Sequence, residues 1–263
     1  MEHGSYGFSL FSMPAPIHFF LFTTPLIMTS MSVPSQYIVS ISKADLALLP
    51  PAAYHGEIHI VDTIDKIPDA VRSLRAADII GFDTETRPSF KKGQSFQVSL
   101  LQLSTRTECF LFRLNMIGLP QDIKDILEDE HKLKIGVSLH DDFHNLHRIY
   151  TLEPKGFIDL QPYVKQFKIA DNSLSRIYGI LFGERISKGQ RLTNWEAKTL
   201  THSQQVYAAF DALSCIQIYD HLNSGKFIPE NSPYYQLYVP EQHQSADAPH
   251  DAPHDVASDG ASA

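Results

Sequence analysis

Two acidic residues follow a short apolar run and form the first candidate for chemistry. The run predicts a buried strand, Ile79–Asp83, and Glu85 comes two residues after Asp83. Side chains two apart on a strand share a face, so these carboxylates would lie side by side. Two carboxylates this close repel each other unless they share a cation. The pair indicates a metal site, and a solvated strand end with incidental acids is the alternative.

A second acidic pair, Asp141 and Asp142, begins a predicted helix over Asp141–Tyr150 that follows a predicted strand, Lys134–Val137. At about 100° per residue, Asp142 lies beside the apolar face of this helix and Asp141 points nearly opposite. We therefore expect Asp142 to face the sheet and Asp141 to be solvated. The alternative is that Asp142 is a first-turn acid that complements the helix dipole.

The third candidate pair is Tyr207 and Asp211 on a predicted helix, Ser203–Asn223. Residues four apart share a helix face, and the alanines around this pair would let the helix approach a sheet closely. A core tyrosine beside a surface aspartate is the alternative. All three elements can converge on one edge of a sheet. Four carboxylates there would suit Mg²⁺ or Mn²⁺, because these cations prefer oxygen ligands. The four carboxylates are those of Asp83, Glu85, Asp142 and Asp211.

Strand and helix patterns alternate between these candidates, which predicts an α/β fold with a mixed central sheet flanked by helices. Two of the strands are expected to be antiparallel neighbours, Phe96–Ser104 and Glu108–Arg113. The further helices are predicted over Ile67–Ala77, around Ile123–Leu127, and over Gln161–Phe167 and Ser173–Phe182.

Charge and cysteine content exclude several classes of protein. The formal net charge of −8 comes mostly from the ends, because residues 60–240 contain 22 acidic and 21 basic residues. A near-neutral body argues against a protein that coats DNA non-specifically. Cys109 and Cys215 are the only cysteines, so a disulfide scaffold or a cysteine-ligated zinc site is not expected. A reducing compartment, the cytoplasm, is the simplest location.

The ends of the chain differ in composition from its body. Residues 1–31 are apolar but interrupted by prolines, which predicts an unstructured or over-extended leader rather than a membrane span, with a cryptic targeting signal as the alternative. Residues 241–263 lack large apolar side chains and are predicted to be disordered. Between them we expect an N-terminal extension (32–61), one catalytic domain (62–225) and a C-terminal extension (226–240).

The three candidate elements resemble the motifs of the DEDDy 3′–5′ exonucleases, a branch of the ribonuclease H-like superfamily. The similarity is greatest to ribonuclease D and Werner-type exonuclease domains, and it covers residues 62–223. Residues 188–195 (Lys-Gly-Gln-Arg-Leu-Thr-Asn-Trp) resemble the family segment before the last helix. The motifs are residues 82–86 (Phe-Asp-Thr-Glu-Thr), Gly136-Val137 with Asp142 and Leu146, and Tyr207 with Asp211.

The resemblance implies a ribonuclease H-like fold and hydrolysis at the 3′ end of DNA or RNA with two divalent cations, Mg²⁺ or Mn²⁺, about 3.5–4 Å apart. It implies that Asp83 bridges both cations and that Glu85 and Asp211 hold the one that activates water. Asp142 would support the other cation, and Tyr207 would orient the attacking water. No membrane segment and no protein partner are evident, and no residue distinguishes DNA from RNA.

Several residues near the motifs could contact the substrate. Arg87, Lys188 and Arg191 could bind backbone phosphates, with solvated loop charge as the alternative. Thr84 and Thr86 could help to position the terminal nucleotide. Trp195 could stack on a base, but as the single tryptophan beside a helix start it is expected to pack in the core.

Two competing interpretations remain open at this point. His140, His144 and His147 follow one helical stripe, which is the spacing of a zinc site, although surface histidines explain it without a metal. The chain could also be a catalytically silent nucleic-acid-binding protein on the same fold. Intact candidate ligands in all three motifs favour an active enzyme.

Overall fold

The computed structural model describes residues 36–238 except Lys92. The predicted leader (1–31) and the predicted disordered tail (241–263) lie outside the described residues. Among the helices of the described part, none is both long and apolar enough to cross a membrane.

The described residues contain eight strands in two sheets. A central sheet of six strands has the order β2-β5-β4-β3-β6-β7, and β1 pairs with β8 in a small second sheet. Strand β4 is antiparallel to both of its neighbours, and the other central pairs are parallel. The strands are β1 (Tyr37–Val39), β2 (Glu57–Val61), β3 (Ile79–Thr86), β4 (Val98–Ser104), β5 (Glu108–Phe112), β6 (Leu133–Gly136), β7 (Phe157–Asp159) and β8 (Tyr235–Leu237).

Helices cover both faces of the central sheet. Short 3₁₀ turns at Ile64–Lys66, Val164–Phe167 and Pro229–Asn231 accompany them. The helices are α1 (Lys43–Leu48), α2 (Ile67–Ala76), α3 (Leu114–Ile117), α4 (Gln121–Glu128), α5 (Leu139–His147), α6 (Leu160–Tyr163), α7 (Leu174–Phe182) and α8 (His202–Asn223). The predicted α/β class with a mixed, helix-flanked sheet is confirmed.

Several predicted element boundaries differ from the observed ones. Strand β3 continues to Thr86 instead of ending at Asp83, so both acids of the first pair lie within it. Strand β4 begins at Val98 rather than Phe96, and α5 ends at His147 rather than Tyr150. The region predicted as helix Gln161–Phe167 is a four-residue helix followed by a 3₁₀ turn.

Strand β2 lies in the stretch that the sequence analysis treats as an N-terminal extension, yet it is an edge strand of the central sheet, paired with β5. Its alternating charged and apolar residues, Glu-Ile-His-Ile-Val, leave one side partly exposed. In the small sheet, β1 from the same stretch pairs with β8 from the predicted C-terminal extension.

The core has two layers because successive residues on a strand point to opposite faces. On one face, Phe82, Leu101 and Leu103 join buried residues of α2, α4 and α5. On the other face, Leu100 and Leu111 join Trp195 and the small residues Ala208, Ala209 and Ala212 of α8. All seven residues of β4 are buried, so the middle of the sheet is covered on both sides.

Helix α8 approaches β3 closely. A Cβ atom added at Gly81 would lie 2.0 Å from the carbonyl oxygen of Ala212, so only glycine fits at this position. The helix begins with a capping box. The Thr201 hydroxyl accepts a hydrogen bond from the backbone N–H of Gln204, and the Gln204 side chain accepts one from the backbone N–H of Thr201. The close approach at Gly81 sets the distance between α8 and β3, the strand that carries the acidic pair.

Candidate active site

Strand β3 positions the first acidic pair. Asp83 and Glu85 lie on the same face of β3 as Gly81 and therefore face α8. Strand β6 pairs with β3 only over Ile79–Gly81, so among the described residues the second half of β3 has β4 on one side and no strand on the other. The acidic pair therefore lies where the sheet opens beside β3.

Helix α8 brings Asp211 to this opening. One carboxylate oxygen from each of Asp83, Glu85 and Asp211 lies within 4.8 Å of the other two. Glu85 and Asp211 are each only 8% exposed, and Asp83 is partly buried. Residues more than a hundred positions apart in sequence thus form one cluster of oxygen atoms.

Helix α5 supplies the fourth carboxylate. The Thr84 hydroxyl donates a short hydrogen bond to Oδ1 of Asp142, which fixes this carboxylate beside β3. Asp141 instead has an exposed side chain, 3.2 Å from Nδ1 of His140. The structure therefore places Asp142, and not Asp141, next to the cluster.

Asp159, which the sequence analysis did not single out, holds the turn between β6 and α5. Its carboxylate accepts hydrogen bonds from the backbone amides of Ser138 (3.2 Å) and Leu139 (3.0 Å). Ser138 has a left-handed backbone with φ of 62°, which lets the chain turn sharply from the strand into the helix. A lone acid at the end of a three-residue strand offers no sequence signal for this role.

Burial raises the pKa values of these carboxyl groups. Burial, followed by the charges of the other three acids, holds the pKa of Asp83 well above its ordinary value. Burial and the charges of Asp211 and Asp142 raise the pKa of Glu85 to about 9. Burial is also the main cause that raises the pKa of Asp142 and of Asp211 to about 7.

The four residues fit a site for divalent cations. Their side chains offer only oxygen atoms, which is the ligand set that Mg²⁺ and Mn²⁺ prefer. Burial is the first cause of all four raised pKa values, and the charges of Arg191 and Lys188 offset only part of the shifts at Glu85 and Asp211. Bound cations would compensate the negative charges, because they favour the ionised form of each ligand.

Tyr207 lies one helical turn before Asp211 and is its hydrogen-bond partner. The Trp195 ring packs against Tyr207 with 6.0 Å between ring centroids. Burial and the charges of Asp211 and Glu85 hold the pKa of Tyr207 above its usual range, so its hydroxyl stays protonated at neutral pH. Trp195 is fully buried, which confirms that it packs in the core.

Three of the predicted substrate-contact residues are positively charged: Arg87, Lys188 and Arg191. Lys188 lowers the pKa of Asp211, and Arg191 lowers that of Glu85, so both basic side chains act electrostatically on the site. Arg87 lies across the ring of Phe96 and forms an ion pair with Glu196 at 3.1 Å. The Thr84 hydroxyl donates a hydrogen bond to Asp142. Thr86 is partly buried and lies at an irregularity of the β3–β4 register.

The histidine stripe does not form a metal site. His140 is almost fully exposed, and Nε2 of His147 lies 2.6 Å from the carbonyl oxygen of Leu152. No three-ligand cluster in the described part of the chain includes a residue of this stripe. The histidines therefore have the surface and boundary positions that the sequence analysis allowed.

A second group of three potential ligands lies on the edge strand β2 and its neighbour β5. Nε2 of His59 is 2.9 Å from a carboxylate oxygen of Glu108 and 3.7 Å from one of Glu57. The imidazole thus lies between two carboxylates on a partly exposed surface.

An acidic cluster beside a central strand of a mixed sheet, next to α5 and α8, is the kind of site at which a hydrolase can hold divalent cations. Residues 58–225 match the family model described as 3′-5′ exonuclease. The chain belongs to this family, and its relatives are exonucleases of the DEDD type.

Curated relatives match over part of their own length. Mouse "Bifunctional 3'-5' exonuclease/ATP-dependent helicase WRN" is 30% identical over 59% of this chain and 12% of that protein. "Exonuclease 3'-5' domain-containing protein 2" of Drosophila melanogaster is 36% identical over 55% of this chain and 25% of that protein. The match therefore spans about a quarter or less of these two relatives.

Solved structures show the same fold. The EXO domain of Aedes aegypti Nibbler superposes with a TM-score of 0.58 at 22% identity, covering 68% of this chain and 96% of that one. Escherichia coli RNase D superposes with a TM-score of 0.56 at 20% identity, covering 66% and 47% of the two chains. The predicted ribonuclease H-like exonuclease fold is confirmed.

Proposed function

We propose that this chain is a metal-dependent 3′–5′ exonuclease of the DEDDy type, which hydrolyses phosphodiester bonds at the 3′ end of DNA or RNA. The observation that carries the proposal is the buried cluster of Asp83, Glu85 and Asp211, with Asp142 beside it, in a member of the 3′–5′ exonuclease family. These four residues would hold two Mg²⁺ or Mn²⁺ ions.

Each residue of the proposed site would have a separate role in hydrolysis. Bound cations would supply an activated water and neutralise charge on the phosphate. Asp83 of β3 has all three other acids as electrostatic neighbours, because the charge of each raises its pKa. Thr84 holds Asp142 in place through its hydroxyl. Burial of Glu85 and Asp211 keeps bulk water away from two of the ligands.

Tyr207 would orient the attacking water. Its raised pKa keeps the hydroxyl protonated, so it can donate one hydrogen bond and accept others while it acts as neither acid nor strong base. The contacts to Asp211 and Trp195 fix its position on α8.

Lys188 and Arg191 would bind the phosphates of the substrate next to the scissile bond. Both side chains are exposed and both act electrostatically on site carboxylates. Gln204 ties their segment to α8, because its Nε2 donates to the Thr193 hydroxyl at 3.0 Å. Arg87 would contact the substrate farther out, and Thr84 and Thr86 would position the terminal nucleotide through their backbone.

Labelled oligonucleotides provide the test of this proposal. DNA and RNA strands labelled at the 5′ end, incubated with the protein and Mn²⁺ or Mg²⁺, should shorten progressively from the 3′ end. A blocked 3′ end should prevent shortening, and Asp211→Asn should reduce the rate by at least about 1000-fold, because a ligand is lost. Comparing DNA with RNA identifies the preferred substrate.

A silent binding protein would behave differently in the same assay. It would retard the oligonucleotide in a gel without shortening it in either cation, and Asp211→Asn would retard it equally. That result would overturn the proposal and establish the alternative function.

We also propose that residues 62–225, together with β2, carry this activity, and that the protein acts in the cytoplasm. The match of residues 58–225 to the family model supports the first point. Cys109 and Cys215 are buried free thiols, which is typical of a reducing compartment. Cell fractionation with a tagged full-length chain would test the location, and recovery in an organelle fraction would refute it.

A further inference from the structure

Gln102 is a polar residue in the middle of the sheet and is fully buried. Neither its Oε1 nor its Nε2 atom has a hydrogen-bond partner among the described residues. Buried amide groups are almost always paired, because an unpaired one has lost its hydrogen bonds to water. An apolar side chain of similar size would avoid this cost, so the amide at this position requires an explanation.

The register of the sheet places Gln102 beside the acidic cluster. In the paired strands, Gln102 lies directly opposite Asp83 of β3 and Leu111 of β5. Residues directly opposite each other in antiparallel strands share a face, with Cβ atoms about 4.5–5.5 Å apart. Because Asp83 faces α8, the Gln102 side chain lies on that face too.

Of the two residues directly opposite Gln102, Asp83 is the one that can accept a hydrogen bond from this amide, because Leu111 has no polar side-chain atom. Leu100, on the same face, has none either. The buried residues that α8 contributes to this part of the core are Ala208, Ala209 and Ala212, and Tyr207 of the same helix packs against it.

We infer that Gln102 is a positioning residue for the cation site: when cations are bound, its Nε2, unpaired in this structure, donates a hydrogen bond to the Asp83 carboxylate and holds it in the orientation that binds them. This inference rests on the proposed function. A hydrogen bond to an ionised carboxylate is stronger than one between neutral groups. Partners that orient a metal ligand in this way raise the affinity of the site for its metal.

Removing the amide separates this role from a purely structural one. Gln102→Met keeps the approximate volume of the side chain and removes both polar atoms. If the amide serves the cation site, the variant without metal should melt at the same temperature as the wild type or higher. Its dissociation constant for Mn²⁺ should increase by about tenfold or more.

The experiment is calorimetric titration of the full chain with Mn²⁺, together with melting curves in EDTA. Leu111→Met is the matched control, because it changes the residue on the other side of Gln102 without removing a polar group; its Mn²⁺ affinity should remain that of the wild type. Wild-type Mn²⁺ affinity in Gln102→Met would overturn the inference. If that variant does not fold, Gln102→Leu replaces it, and failure of both to fold would show a structural role and also overturn the inference.

The wild type distinguishes failure of this inference from failure of the proposed function. A wild-type chain that shortens oligonucleotides and binds Mn²⁺, with Gln102→Met equal to it, refutes only the role of Gln102. A wild-type chain that neither binds Mn²⁺ nor shortens a substrate refutes the proposed function, and the inference with it.

Discussion

Asp211, a proposed cation ligand, is a buried carboxyl group whose ionisation is unfavourable in the metal-free protein. Burial raises its pKa from 3.8 to about 7, although Tyr207 and Lys188 act in the opposite direction. An acid whose pKa is raised by folding stabilises the native state only while it is protonated. Its contribution is present below about pH 4 and is lost as the pH rises through about 7.

Asp211→Asn should therefore stabilise the metal-free protein in a pH-dependent manner. In EDTA at pH 8, the free energy of unfolding of the variant should exceed that of the wild type by on the order of 4 kcal/mol at most. The variant should therefore unfold at a higher denaturant concentration. The difference should shrink at pH 5, where the native wild-type carboxyl is protonated. Denaturation curves at both pH values provide the measurement. Asp141→Asn, at an exposed position, should show no such difference, and equal curves for both variants would contradict this account.

We propose that Tyr207 contributes to catalysis through its hydroxyl group. Tyr207→Phe should lower kcat on the order of 100-fold, because the attacking water loses its orienting group, and should change Mn²⁺ affinity far less. Single-turnover rates at saturating Mn²⁺ would measure the effect. Tyr163→Phe removes a hydroxyl that bonds to Asn223 away from the site and should leave the rate unaltered. A wild-type rate in Tyr207→Phe would exclude the proposed role.

At the scale of elements, the distance between β3 and α8 determines whether the carboxylates meet. Gly81 permits the close approach, and Asp211 lies one residue before Ala212, the residue whose carbonyl oxygen faces Gly81. The Arg106 guanidinium reinforces this packing, since it bonds to Asp78 just before β3 and to Asp220 near the end of α8. The position of α8 is therefore both a stability determinant and a site determinant.

Gly81→Ala should damage stability and activity together. The added methyl group collides with backbone, which cannot move out of the way as a flexible side chain could, so the loss of stability should be at least about 2 kcal/mol. The displaced helix should also lower nuclease activity. Chemical denaturation and the oligonucleotide assay would measure both. Gly189→Ala is the control for stability, because its added methyl would meet only the Ser187 hydroxyl at 3.7 Å; equal stability of the two variants would count against this explanation.

At the scale of the molecule, residues before the matched family region complete the core. Val39 and Ile41 are fully buried in the cluster that also contains α7 and α8 side chains. Backbone hydrogen bonds join Val39 to Lys168 and Ala170, and the backbone N–H of Ile41 donates a hydrogen bond to the Asp171 carboxylate at 3.0 Å. The region 58–225 alone would leave this part of its surface uncovered.

A fragment of residues 58–225 should consequently unfold at a lower temperature than the full chain. In the full chain, the double substitution Val39→Ala with Ile41→Ala should reproduce most of the loss, about 4 kcal/mol, because it removes the same buried methyl groups. Melting and denaturant curves would compare them. Leu48→Ala changes a residue that is 84% exposed and should have no effect. A fragment as stable as the full chain would show that this packing contributes little.

Local patterns in the sequence determined much of the site. The spacing of Asp83 with Glu85, and of Tyr207 with Asp211, assigns each pair to one face because strands repeat every two residues and helices every 3.6. The same periodicity separates Asp142 from Asp141, as the structure shows. The α/β class and the antiparallel pairing of β4 with β5 followed from patterns of the same kind.

Only the tertiary structure decided which of these groups meet and what supports them. Strands β2 and β7 are too polar or too short to be recognised locally, and their places depend on partners distant in sequence. The contact of Thr84 with Asp142, the turn held by Asp159 and the burial of Gln102 opposite Asp83 arise from the same kind of pairing. Periodicity is a property of one segment, whereas strand register and helix packing depend on interactions between segments.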